Sequence, residues 1–350
     1  MDYKGSGVDI ATGSEVVERV KRLAKRTFTD GVLSDIGAFG GLFRPELSGM
    51  DEPVLVASAD GVGTKLKVAF DAGLHTTVGC DLVNHCVNDI LVHGARPIFF
   101  LDYFATGQLS PEVSTEVVEG IAKGCKDNGC ALLGGETAEM PGFYSDQEYD
   151  LAGFIVGLVD RGCIIDGRAI APGDVIIGLP STGLHTNGYS LARRILFDEL
   201  GLGLNQEIAE FGCTVGEELL RPHCSYQAVV RPVIDSGHVK GIAHITGGGL
   251  TDNVPRILPA GCTAVIDTQA WPIPPVFDFL RTRGNVPTDD MYRTFNMGIG
   301  LAIVCSRVDA SAVLTKLISC GEVGASRIGE VREGAPGVEY TATDVSASAS

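Results

Sequence analysis

The chain has 350 residues, 45% of them hydrophobic, enough to bury a large core and long enough to favour two domains over one. Its formal net charge of −17 argues against a nucleic-acid partner, because that binding rests on clustered lysine and arginine and no basic run occurs; an anionic substrate must be met by local lysines, backbone amides and metal ions. No stretch approaches the ~18–20 consecutive apolar residues of a membrane span. The first seven residues also lack the apolar core of a signal peptide, so a cytoplasmic protein is expected.

In chain order, residues 14–27 carry a helical pattern with the apolar stripe Val16, Val17, Val20, Leu23 and Ala24, beside which Lys21 reads as a solvated lysine. An apolar run at 54–59 leads into Asp60-Gly61-Val62-Gly63-Thr64-Lys65. Gly61 and Gly63 let backbone N–H groups approach an anion, Thr64 offers a hydroxyl, Lys65 a positive charge and Asp60 a hard oxygen ligand for a divalent cation. The spacing is not that of a Walker A loop. Taken alone, the run fits a nucleotide site or a strand-terminating turn with a solvated lysine.

The next helical pattern, 80–93, places Asp81, His85, Asn88 and Asp89 on one face, with apolar residues over the remainder. Either this is a solvated stripe with a satisfied histidine, or the acids project into a narrow cleft. The breadth of the apolar surface favours the cleft, in which Asp60 and these acids could hold Mg²⁺ against a nucleotide polyphosphate. The strand at 97–104 is apolar at both alternating sets of positions apart from Asp102; it needs cover on both faces, and a homodimer joined sheet to sheet is expected. A helix at 111–126 and the short apolar run Ala131-Leu132-Leu133 follow, ending in Gly134-Gly135-Glu136-Thr137. There Glu136 can ligate a metal or accept from a ribose or adenine donor, and Thr137 can contact phosphate. After a strand at 151–159, the Asp-Gly and Pro-Gly pairs between Ile165 and Gly173 mark a domain boundary. Domains at 1–166 and 167–334 are expected, with a disordered tail at 335–350.

The second half has strands at 175–179, 263–267, 298–305 and 325–331, with helices at 187–200, 224–235, 274–282 and 309–319 among them. Mixed elements of this kind specify an α/β or α+β protein. Ser181 to Ser190 carries His185, able to serve as an acid/base group or an anion donor, and Asn187. Gly247, Gly248 and Gly249 open a helix expected from Thr251 to Leu258, forming a backbone anion site at its positive end. The ten cysteines, among them Cys80, Cys163, Cys262 and Cys305, form no C-x-x-C pair and read as small buried hydrophobes.

The runs DGVGTK, DLVNHCVND, FFLDYFATG, GGETAEMPG, HTNGYS, AHITGGG and MYRTFNMGIG occur in the order and at roughly the intervals seen in the phosphoribosylformylglycinamidine cyclo-ligases. The chain resembles that family, also called aminoimidazole ribonucleotide synthetases, from Gly7-Val8-Asp9-Ile10 to Gly329. The resemblance implies a two-domain fold in which the amino-terminal sheets of two subunits join into a barrel, with the active site in a cleft between domains. It also implies ATP- and Mg²⁺-dependent closure of formylglycinamidine ribonucleotide to aminoimidazole ribonucleotide in purine biosynthesis. By the same resemblance Asp60, Lys65 and His185 are catalytic; Lys21, Gly61, Gly63, Thr64, Asp81, Asn88, Asp89, Glu136 and Thr137 bind ATP. Asp60, Asp89 and Glu136 hold the metal; Asn187, Gly247, Gly248 and Gly249 bind substrate. The alternatives are a small-molecule kinase of the same superfamily and a catalytically silent nucleotide-binding regulator, which would have lost its acids or Lys65.

Overall fold

In the computed structural model, which describes residues 10–342, the apolar runs of the first half become a four-stranded sheet. Strands β1 (Pro53–Asp60), β2 (Arg96–Thr106), β3 (Ala131–Glu139) and β4 (Tyr149–Asp160) lie in the order β1-β4-β2-β3, and only β2 and β3 are parallel. A parallel pair needs a crossover, supplied here by α4 (Pro111–Asp127). Ser110 caps that helix, its Oγ accepting from the Val113 N–H at 3.3 Å, with proline at the first helical position.

The remaining helices of this unit are α1 (Ile10–Lys25), α2 (Lys65–Ala72) and α3 (Thr76–Leu91). α3 and α4 cross closely because Gly79 and Gly120 each meet the backbone of the other helix where a side chain would stand. Together α3 and α4 bury one face of the sheet, including Phe100, Phe104 and Ile155. The other face is open and apolar. Leu55 is 66% exposed, and Phe154, 44% exposed, lies between Ala59 of β1 and Leu101 of β2 in the register.

The second unit is built on a six-stranded sheet in the order β12-β9-β11-β5-β10-β8. Its strands are β5 (Val175–Pro180), β8 (Val239–His244), β9 (Cys262–Asp267), β10 (Ile299–Cys305), β11 (Ser326–Glu333) and β12 (Val338–Thr341). β10 is buried at every position, as its unbroken apolar run predicts. A two-stranded ribbon, β6 (Glu207–Ile208) and β7 (Cys213–Thr214), accompanies α5 (Tyr189–Arg193), α6 (Val215–Leu219), α7 (Gln227–Ile234), α8 (Gly249–Asn253), α9 (Pro275–Arg283), α10 (Thr288–Thr294) and α11 (Ala310–Ser319).

Several expectations need correction. The tail expected to be disordered from 335 instead forms β12, whose Val338 to Thr341 pair in parallel with Ala264 to Asp267; residues 343–350 lie outside the described residues, as do Gly7, Val8 and Asp9. The helix expected at 251–258 begins at Gly249 and tightens to a 3₁₀ turn at Val254–Ile257. The pattern at 224–235 yields a helix only from Gln227, because Leu219–Ser225 belongs to the first compact unit together with Ala95–Ile164. Cys163 is exposed, whereas Cys80, Cys262 and Cys305 are buried.

Candidate active site

Asp60 is the last residue of β1, and its carboxylate is held from two sides. Oδ1 accepts from the Gly61 N–H at 2.7 Å, and Oδ2 lies 2.8 Å from His85 Nε2 on α3. Two residues earlier on the same strand face, Ser58 Oγ donates to Asp89 Oδ2 at 2.9 Å. Burial pushes the Asp60 carboxyl up, but the His85 hydrogen bond and charge and the Gly61 amide outweigh it and hold Asp60 below the usual range. Burial pushes His85 down; the Asp60 hydrogen bond, with the charges of Asp60, Asp89 and Asp81, outweighs it and holds the imidazole above its usual range.

These two shifts fix a pH window. The Asp60 contribution to stability is present above its ordinary value near ~4 and lost as pH falls through the lowered folded value; the His85 contribution is present below ~6.5 and lost as pH rises through the raised folded value. His85→Gln should therefore lower Tm most between about pH 4 and 6.5, with the gap to the parent closing at alkaline pH. Thermal scans across pH 4 to 9 test this, and a gap that widens above neutrality contradicts it.

The remaining polar residues of α3 do something different from what their spacing suggests. Lys65 is 0% exposed; its Nζ lies 2.7 Å from Asp81 Oδ2 and donates to the Arg221 carbonyl at 2.7 Å. Asp81 Oδ1 accepts from the His223 N–H at 2.6 Å. Asn84 Nδ2 donates to the His223 carbonyl at 2.7 Å and Asn88 Nδ2 to the Cys224 carbonyl at 2.9 Å. Asn128 ties Asn84 to Ser225. The stripe is thus a clasp on Leu219–Ser225. Lys65, expected in catalysis, and Asp81 and Asn88, expected at the nucleotide, engage buried backbone and one another. Burial raises the Asp81 carboxyl against the pull of Lys65. The clasp also brings the His223 ring to 5.2 Å from His85, a neighbour that periodicity could not show.

A cavity of about 620 Å³ lies at the β3 edge of the same unit. Val17 and Val20 of α1, Leu132 and Leu133 line it with the glycine-rich loop 37–41, and Glu136 and Thr137 stand at its rim. This volume falls in the range of small-molecule sites. Lys21 runs along the loop, its ε-carbon 3.2 Å from where a side chain on Gly37 would begin, with Nζ 2.8 Å from Glu18 Oε1. The sequence reading passed over loop 37–41, although the density of glycine in Gly37-Ala38-Phe39-Gly40-Gly41 was a usable signal. Gly63 and Thr64 are exposed beside half-buried Gly61, leaving the turn after β1 open to a ligand.

The register separates Glu136 from the Asp60 cluster. Asp60 pairs with Gly153, Gly153 with Asp102 and Asp102 with Gly135, so three strand spacings, roughly 14 Å at ~4.8 Å each, lie between Asp60 and the neighbour of Glu136. The register thus sets Glu136, also expected to hold metal, apart from Asp60 and Asp89 in the same subunit, so the three do not gather about one ion.

In the second unit, His185 has a left-handed backbone with φ of 61° and is buried; its Nε2 accepts from the Thr182 N–H at 3.1 Å. That bond shapes the loop that carries the expected acid/base histidine. Asn187 and the glycine run do come together, with Asn187 Oδ1 3.3 Å from where a side chain on Gly247 would begin. The Asn187 Nδ2 donor is buried without a partner among the described residues. Gly248 has φ of 96° and precedes α8, while Gly249 faces the carbonyls of Tyr292 and Phe295 at a distance only glycine tolerates.

Residues 46–159 match the model for the AIR synthase related protein N-terminal domain and residues 171–340 that for its C-terminal domain. The chain is 52% identical to phosphoribosylformylglycinamidine cyclo-ligase of Syntrophotalea carbinolica, covering 98% of each chain, and 53% identical to that of Trichlorobacter lovleyi, covering 94% of each. Thiamine-monophosphate kinase from Stenotrophomonas maltophilia shares the fold at a TM-score of 0.65 and 20% identity, over 93% of this chain and 95% of that one. Two matched domains spanning most of the sequence, and relatives this similar over nearly full length, make the chain a member of the AIR synthase family and, within it, of the phosphoribosylformylglycinamidine cyclo-ligases.

Proposed function

We propose that the protein closes the imidazole ring of aminoimidazole ribonucleotide from formylglycinamidine ribonucleotide, consuming ATP. Membership among the cyclo-ligases carries this reading, and the geometry is consistent with it. The formyl oxygen of an amide is a poor leaving group. Phosphorylation by ATP converts it to an iminophosphate; attack of the amidine nitrogen on the formyl carbon then forms the C–N bond, expels phosphate and releases a proton.

The donor set at the end of β1 fits a hard cation: two carboxylates, Asp60 and Asp89, gathered about His85 with the Ser58 hydroxyl. Asp60 and Asp89 would hold Mg²⁺, which when bound supplies charge neutralisation for the triphosphate oxygens. His85, held toward its protonated form, orients Asp60 and adds positive charge behind it. The backbone of Gly61, Gly63 and Thr64 faces the phosphates, and the cavity between α1 and β3, with Lys21, Glu136 and Thr137 near its rim, takes the nucleoside. In the second unit the unpartnered Asn187 amide beside Gly247, Gly248 and Gly249 fits the phosphate of the ribonucleotide substrate.

The open face bearing Leu55 and Phe154 supports a homodimer joined sheet to sheet, since an apolar face of this kind needs cover. Light scattering at micromolar concentration should give about twice the chain mass, and a monomer that still turns over substrate would contradict it. Phosphorylated substrates and the demand for ATP point to the cytoplasm. The decisive assay supplies ATP, Mg²⁺ and the formylglycinamidine substrate. A diazotisable aromatic amine with one ADP per imidazole supports the reading; a stable phosphorylated product without a ring would instead favour a kinase.

A further inference from the structure

Asp102 lies in the middle of β2, flanked in the register by Gly153 on β4 and Gly135 on β3. It is 8% exposed, and that remainder opens on the cavity between α1 and β3. A side chain on Gly135 would collide with its Oδ1, so glycine at 135 keeps the carboxyl edge reachable. Among the described residues no side chain and no backbone group other than its own amide supports this carboxyl. A buried acid supported by nothing but its own amide costs stability and calls for a ligand or a function.

We propose that Asp102 reads the base of the nucleotide bound in this cavity, pairing with the amino group and the adjacent ring nitrogen of adenine. The inference rests on the cavity being the nucleoside site. A neutral carboxyl group matches that edge of adenine with two bonds: its carbonyl oxygen accepts from the 6-amino group and its O–H donates to N1. An ionised carboxylate only accepts, which suits the N1–H and 2-amino donors of guanine instead. Burial pushes Asp102 up to about 7, so both forms are accessible near neutrality. The titratable group that senses it is Cys125 on α4; Cys86 on α3 contacts the carbonyl of Gly153, the register partner of Asp102, Asp35 and Glu136 line the same cavity, Glu136 one residue on from Gly135 and so on the other face of β3, and Lys21 lies beyond Gly37. None of them neutralises it through a hydrogen bond or a dominant charge, and burial is the leading cause of its raised value.

The test is the ratio of ATP to GTP affinity in the presence of Mg²⁺, measured by calorimetry on the parent and on Asp102→Asn between pH 6 and 8.5. The ratio cancels the pH dependence of the shared triphosphate and of its contacts. The parent should lose about tenfold of its preference for ATP across this range, as one well-placed hydrogen-bond pair is exchanged for a mismatch. The asparagine amide both accepts and donates at every pH, so the Asp102→Asn ratio should stay flat and favour ATP. A parent ratio that does not change with pH, or an equal slope in Asp102→Asn, overturns the assignment while leaving the nucleotide site standing. Absence of binding of either nucleotide to the parent at every pH removes the nucleotide site itself, and the assignment with it. Because the parent series needs no substitution, a misfolded variant does not rescue the proposal.

Discussion

Lys65→Met should lower the free energy of unfolding by about 3–5 kcal/mol, the usual consequence of leaving one partner of a fully buried ion pair uncompensated. Lys65 Nζ and Asp81 Oδ2 are 2.7 Å apart with both side chains inaccessible, and the lysine also supports the Arg221 carbonyl. Methionine fills the volume but abandons a carboxylate that burial already pushes toward neutrality. Adding Asp81→Asn should restore part of the loss, because a neutral amide oxygen still accepts from the His223 N–H while no charge remains to be buried. Chemical unfolding midpoints of the parent, the single variant and the double variant give the comparison. Parent-like stability in Lys65→Met with turnover abolished would return Lys65 to the phosphate and refute the clasp.

Asp60→Asn should behave in the opposite way. Turnover should fall at least ~10²-fold, because charge-stabilising groups at a phosphoryl-transfer centre contribute several kcal/mol to the transition state. The unfolding temperature should stay close to that of the parent at pH 8, where the His85 pair contributes least. Asparagine still accepts from the Gly61 N–H, so the turn keeps its shape. Asp89→Asn, which retains an acceptor for the Ser58 hydroxyl, should follow the same pattern. Near-normal turnover in both would remove this pair from the reaction.

The contrast between Lys65 and Asp60 shows where sequence reading reaches its limit. Continuous apolar runs such as those of β5 and β10 announce buried strands, and glycine next to a strand end announces an open turn. The α3 stripe was legible as polar, but periodicity does not say what a polar face meets. Asp81, Asn84 and Asn88 meet the backbone of a segment more than 130 residues away, while His85 meets Asp60. That distinction depends on Leu219–Ser225 joining the first unit, which no local pattern encodes. α2 was missed because the phosphate-like run masked the apolar Leu66, Val68 and Ala69 that follow it. β12 was missed because Val338-Glu339-Tyr340-Thr341 is short and gains its order from pairing with β9. Asp102 was visible only as an interruption in an apolar strand, and its position opposite Gly135 gives the interruption its meaning.

The fate of the formyl oxygen tests the central chemistry most directly. Substrate carrying ¹⁸O in the formyl group, turned over with unlabelled ATP and Mg²⁺, should deliver the label to inorganic phosphate, one atom for each imidazole formed, because phosphorylation of that oxygen makes it the leaving group. Labelled water as the oxygen product, with unlabelled phosphate, would show that ATP does not activate the formyl group and would contradict the mechanism.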